Sequence, residues 1–206
     1  MTTRTLVRRA VLATVAVTGA LVLAACGGNG DDGDTGAHTG HGSSATASAS
    51  AGAHNAQDVA FAQGMIPHHQ QALEMAELAA GRASSARVKD LAARIEKAQD
   101  PEIRTMTGWL KAWGEQVPMA GMDHSGHSGM AGMMSDADMT ALKKATGKDF
   151  DSRFLSLMVE HHQGAVEMAT TEQQKGRDSA AKAVADAIVT AQNAEIKEMR
   201  QLLGTS

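Results

Sequence analysis

From Asn55 to Leu203 the apolar positions recur with a helical period, and they do so twice. Sliding the chain by 93 residues lays DVAFAQGMIPHHQQALEMA (58–76) on DSRFLSLMVEHHQGAVEMA (151–169). The register then continues without a gap, so that Ile95, Gln99, Glu102, Ile103, Met106 and Leu110 fall on Ile188, Gln192, Glu195, Ile196, Met199 and Leu203. Between Asp58 and Leu110, 19 of 53 positions match their partners, which marks an internal duplication. In the first copy, Asn55 or Asp58 caps a helix running to about Ala80, which Gly81 closes. Ser84 or Ser85 opens a second helix whose Val88, Leu91, Ala92, Ile95, Gln99, Met106, Trp109, Leu110 and Trp113 share a face before Gly114. The second copy predicts helices from Asp151 to Lys175 and from Ser179 to Leu203, the latter stopped by Gly204. Two helical hairpins make an all-α antiparallel four-helix bundle. Between them SDADMTALKKATG predicts a short extra helix, capped by Ser135 with Asp138 and stopped by its glycine. Pro67 removes one helical hydrogen bond, so it is expected either to kink the first helix or to mark its true start. The expected units are repeat one at 55–114, a Met/His-rich loop and short helix at 115–148, and repeat two at 149–206.

The helical period is absent before Asn55. Arg4, Arg8 and Arg9 precede an uncharged run from Ala10 to Ala25, the pattern of an export signal over residues 1–25 and too short for a comfortable membrane span. The run ends in LAAC, Leu23 to Cys26, which resembles the lipobox of bacterial lipoproteins. Cys26 is the only cysteine, so no internal disulfide is available and lipidation accounts for it; a plain cleaved signal with an incidental cysteine is the alternative. Residues 26–54, rich in Gly, Ser, Ala, Thr and Asp, then read as a tether to the outer face of a bacterial cytoplasmic membrane.

Charge and composition narrow the picture further. The formal charge is −4; residues 1–25 carry three of the 19 basic residues and none of the 23 acidic ones, so the remainder stands at −7. Such a chain is a poor nucleic-acid binder and suits cations better. Aromatics are 2% of the residues, tyrosine is absent and methionine reaches 13. A core of small, aliphatic and thioether side chains favours close-packed helices over sheets.

On a wheel of about 100° per residue, Met65, His68, His69 and Met75 form one stripe among Ala72, Ala76 and Ala79. Met158, His161, His162 and Met168 repeat it beside Ala165 and Ala169. The partner helices turn Gln99, Glu102 and Met106, and their copies Gln192, Glu195 and Met199, inward. A methionine on such a stripe can be core filler, and a buried histidine can simply bond a carboxylate. The distribution favours ligands: four of the nine histidines lie in the two HHQ motifs, two in the loop and three before the first helix. Thioether sulfur suits Cu(I), and poorly suits Mg, Ca, Mn or Zn. Di-iron bundles use Glu-x-x-His, whereas here Met65 and Met158 stand three residues before His68 and His161; Glu102 and Glu195 keep the iron alternative open. The loop adds Met119, Met122, His124, His127, Met130, Met133 and Met134 among glycines and serines, a second candidate metal site with no evident packing role; a low-complexity linker is the alternative. Gln70, Glu74, Gln163 and Glu167 recur on the opposite face, where an i, i+4 hydrogen bond is the modest reading.

The doubled motif Phe-x3-Met-x2-His-His-Gln-x-Ala-x-Glu-Met-Ala, spelled by Phe61–Ala76 and Phe154–Ala169, resembles the secreted domain of unknown function family numbered 305. The resemblance spans about Asn55 to Leu203 and implies a ferritin-like bundle, exported, with copper-binding relatives that contribute to copper tolerance. It implies the ligand set Met65, His68, His69, Met75, Met158, His161, His162 and Met168; the inward Glu102, Glu195, Met106 and Met199 read, from their position alone, as inner support. The chain carries no Ser/His/Asp set, phosphate loop or cofactor fingerprint. The expectation is therefore a lipid-anchored, non-enzymatic protein that sequesters Cu(I), or Ag(I), or hands it to a copper donor or acceptor protein. A ferritin-like metal oxidase and a metal-free interaction module are the competing readings.

Overall fold

A computed structural model describes residues 54–119 and 130–204. Cys26, the expected signal and tether, and Met122, His124 and His127 lie outside the described residues. The elements are α1 (Ala56–Arg82), α2 (Ala86–Trp113), α3 (Asp136–Lys144), α4 (Gly147–Lys175) and α5 (Ser179–Leu203). α1 packs on α2 and α4 on α5, while α1 and α4 meet each other, so the two hairpins of the duplication join through their first helices. None of the described helices is long and apolar enough to cross a membrane.

The helix ends follow capping chemistry. Asn55 and Asp58 form a capping box at α1, Ser135 and Asp138 another at α3, Ser85 caps α2 and Asp178 caps α5. Gly114 and Gly204 close α2 and α5 in the left-handed region, at φ 76° and 73°. Three expectations are corrected. α1 runs past Gly81, because Asp151 fixes the next turn by accepting hydrogen bonds from the Ser84 and Ser85 amides. Pro67 lies inside α1, eleven residues after its first, and marks no start. Gly147 does not stop the short helix: α3 ends at Lys144, and Gly147, at φ 63°, is the first residue of α4.

Asp58 and Asp151, equivalent in the duplication, brace the opposite hairpins. Asp58 accepts from the Arg177 and Asp178 amides at 2.9 Å each, as Asp151 accepts from Ser84 and Ser85 at 3.1 and 3.0 Å. The apolar core falls into two clusters. One gathers Phe61, Met65, Ile66, Met106, Leu110 and Ala165; the other gathers Met75, Ile95, Phe150, Phe154, Met158 and Met199. Along α1 the histidines fall between Ile66 of the first cluster and Ala72 of the second; along α4 they fall between Met158 and Ala165. The four imidazoles thus form a polar layer where the two clusters meet.

Candidate metal centre

All four helix histidines are fully buried. His69 donates through Nε2 to Glu102 Oε2 at 2.7 Å, and His162 does the same to Glu195 Oε2 at 2.7 Å. Each of these two carboxylates engages an Nε2, and neither Nδ1 has a partner. A carboxylate behind an imidazole is also how metal-ligating histidines are commonly oriented.

His68 and His161 are different. Their rings lie 3.7 Å apart, centroid to centroid, tilted by 40°. No nitrogen of either ring has a hydrogen-bond partner. Burial pushes the His68 imidazolium down to about 3, with repulsion from His69 and His162 adding to it; the Ala131 backbone works the other way without meeting hydrogen-bond geometry. His161 is pushed well below the ordinary value by burial first, then by His68, His162 and His69, while the His68 backbone works the other way without meeting hydrogen-bond geometry. Both rings are therefore neutral at physiological pH, the form that binds metal. Each buried polar group left unpaired costs about 1–3 kcal/mol, so this layer is held at a cost that a lone-pair acceptor would relieve.

Met65 and Met158 are fully buried one helical turn before His68 and His161. Met75, Met106 and Met199 are also fully buried. Met168 is half-buried, so it differs from its equivalent Met75 in setting. Among the described residues, no three His, Cys, Asp or Glu groups gather where one ion could be held. A complete coordination sphere around these imidazoles would draw on thioether sulfur, which selects a soft ion such as Cu(I).

The loop residues separate. Met119 is 62% exposed, Met130 and Met133 are half-buried, and Met134 is buried in the second cluster. The expectation that the loop methionines have no packing role is corrected for Met134. Its backbone is held on both sides by the Gln71 amide, which donates to the Met134 carbonyl at 3.0 Å and accepts from its N–H at 2.7 Å. Glu74 pairs with Lys143 of α3 at 2.5 Å, which replaces the expected Gln70–Glu74 bond as the account of that residue. Gln70 is half-buried and Gln163 and Glu167 are exposed.

Two residues beyond the candidate ligands belong to this layer. Gln99 and Gln192, equivalent in the duplication, are buried with unpartnered side-chain atoms. Their inward position is readable from the period, but an unsatisfied amide is not.

Residues 58–203 match the model of the family described as domain of unknown function DUF305. A DUF305 protein of Streptomyces coelicolor described as secreted is 34% identical, with TM-score 0.65 over 72% of this chain and 92% of that one. A DUF305 fragment from Deinococcus radiodurans is 32% identical, with TM-score 0.66 over 74% and 98%. CopM in its Cu(II)-bound form is 36% identical, with TM-score 0.63 over 71% and 95%, and CopM structures with Cu(I) and with Ag are similar too. No curated protein matches.

Proposed function

The chain belongs to the DUF305 family, and from that premise we propose that it is an extracytoplasmic binding protein for Cu(I), and for Ag(I) as a chemical analogue, serving copper sequestration or transfer rather than catalysis. The observation that carries this reading is the His68–His161 pair: two neutral imidazoles in contact, buried, with four unpartnered nitrogens and a buried thioether one turn before each. Met65 and Met158 supply sulfur beside that pair, whereas His69 and His162, turned to Glu102 and Glu195, do not gather with it into one group of three ligating side chains. That mixed set fits a soft ion better than the carboxylate-rich shell of an iron oxidase, since each glutamate is already engaged by one imidazole. The similarity to CopM, whose structures carry Cu(I), Cu(II) and Ag, supports the same choice.

Export is supported by the basic and apolar N-terminal pattern and by the relative described as secreted. Cys26 after LAA is the lipid-attachment residue in this reading, tethering the bundle to the outer face of the cytoplasmic membrane within reach of a copper donor or acceptor protein.

Titration of the protein with Cu(I) against a competing chelator tests the proposal. Changing His68 and His161 together to Ala should weaken binding by more than the roughly 10–100-fold that loss of an outer-shell partner alone costs. Unchanged affinity in that variant, with the helical circular dichroism intact, would refute the assignment.

A further inference from the structure

Among the differences between the two copies around the HHQ motif, Gly64 faces Leu157 in the alignment, Gln71 faces Gly164, and Pro67 faces Glu160. The structure joins two of these differences through one segment. A Cβ on Gly164 would lie 2.0 Å from the Ala131 carbonyl oxygen and 2.7 Å from Gly132 Cα, so α4 leaves a notch through which the backbone of residues 131–132 passes. Gly132, at φ 78°, is as tightly held: a Cβ there would lie 2.8 Å from the Glu160 and His161 carbonyl oxygens. On the α1 side, the paired hydrogen bonds of Gln71 fix Met134. Residues 130–134 are thus a strap seated across α1 and α4 at the level of the histidine layer.

The strap brings Met130 to a defined place. A Cβ on Gly64 would meet the Met168 sulfur at 3.6 Å and the Met130 sulfur at 3.7 Å. One thioether from the strap and one from α4 therefore flank a side-chain-free position on α1. Both methionines are half-buried, neither sealed in the core nor left in solvent. A glycine inside a helix is disfavoured relative to alanine, and here a Cβ would stand in van der Waals contact with both sulfurs.

We infer that Met130 and Met168 form a second, separate site for a soft monovalent cation at the edge of the strap, with Gly64 as the gap that admits the ion. The choice of ion rests on the copper reading above; the geometry of the site does not depend on His68 or His161. Two neutral thioethers make a weaker site than the imidazole layer, one suited to holding an ion in transit. In the second copy Leu157 stands where Gly64 does, so the duplication builds this site once.

Calorimetric titration of the full chain with Ag(I) separates the two sites. In the wild type a tight class of binding is followed by a weaker one. Met130→Leu keeps shape while removing sulfur, and Gly64→Leu fills the gap with the residue that the other copy carries and is a better helix former; each should remove one weaker equivalent. Gly64→Ala adds a carbon only at van der Waals distance and should retain it. The weaker equivalent should also survive in His68→Ala/His161→Ala, which removes the tight class. A wild-type number of bound ions in both Met130→Leu and Gly64→Leu overturns this inference. Persistence of the tight class in the double histidine variant overturns the proposed function and leaves the strap site standing.

Discussion

A carboxyl buried beside another carboxyl keeps its proton longer than it would in water. Glu172 is fully buried with neither carboxyl oxygen in hydrogen-bond geometry, and burial pushes it up from 4.5 to about 8, with the neighbouring Asp58 adding; Gln57 and Lys182 oppose. Burial also pushes Asp58 up, but the neighbouring Glu172 and hydrogen bonds from the Asn55, Asp178 and Arg177 amides outweigh it and hold Asp58 low. Between pH 4.5 and about 8 the folded chain therefore binds a proton at Glu172 that the unfolded chain has released. Its stabilisation is complete below the unfolded value and is lost as pH rises through the folded one. Glu172→Gln should abolish that loss, raising stability near pH 8 by on the order of 2 kcal/mol relative to wild type, with little change near pH 5. Thermal melts of both proteins across that range check it; parallel curves would refute it. Nothing in the period exposes this pair, since Glu172 aligns with Ala79 and looks like one more polar residue near a helix end. The histidines were half readable in the same sense. The sequence places them on two equivalent stripes, one in each copy, and a carboxylate-bonded histidine does account for His69 and His162. It does not account for His68 and His161, because which imidazole meets a glutamate depends on how the helices are rotated, not on spacing along one of them.

The elements themselves were largely readable. Amphipathic period, capping residues and the duplication give all five helices, and the caps at Asn55, Ser85, Ser135 and the closing glycines at 114 and 204 act where the sequence puts them. Gly81 and Gly147 misled because a glycine signals only backbone freedom, and a tertiary bond decides whether the chain uses it. That bond is the reciprocal brace. Asp151 accepts from Ser84 and Ser85 before α2, and Asp58 from Arg177 and Asp178 before α5, so each hairpin turn is held by the first helix of the other copy. Replacing either aspartate by Ala leaves partly buried amides unpaired and should destabilise the fold by about 2–4 kcal/mol, given about 1–3 kcal/mol for each such group. Asp58→Ala should in addition release Glu172 toward its ordinary range, so its melting temperature should depend less on pH than that of Asp151→Ala. Melts of the two variants at low and high pH test this; equal pH slopes would remove the coupling between brace and carboxyl pair. The strap was the least readable element. Its glycines look like a linker, and only the mismatches Gly64/Leu157 and Gln71/Gly164 between the two copies mark where it seats.

For the molecule as a whole, the histidine layer sets stability against the proposed function. It interrupts what would otherwise be a continuous apolar core, placing unpartnered imidazole nitrogens between two clusters of fully buried Met, Phe, Leu and Ile. An apolar side chain of similar size at His68 and His161 removes those unsatisfied groups and adds buried apolar area. The double variant His68→Leu/His161→Leu should therefore melt higher than wild type when both are metal-free, by on the order of 1–3 kcal/mol. Binding reverses the order. An ion that binds only the folded chain stabilises it by about 2.7 kcal/mol at a hundred times its dissociation constant, which in a chain of this size raises the melting temperature by about 5–10 °C. Under Cu(I) the wild type should then overtake the leucine variant, whose melting temperature should barely move. Scanning calorimetry with and without Cu(I) under reducing, anaerobic conditions gives four temperatures, and the prediction is that the two pairs cross. A wild type that melts above the variant without metal would mean that the imidazoles are satisfied in the folded chain, and the polar layer would then be a structural feature and not a set of metal ligands.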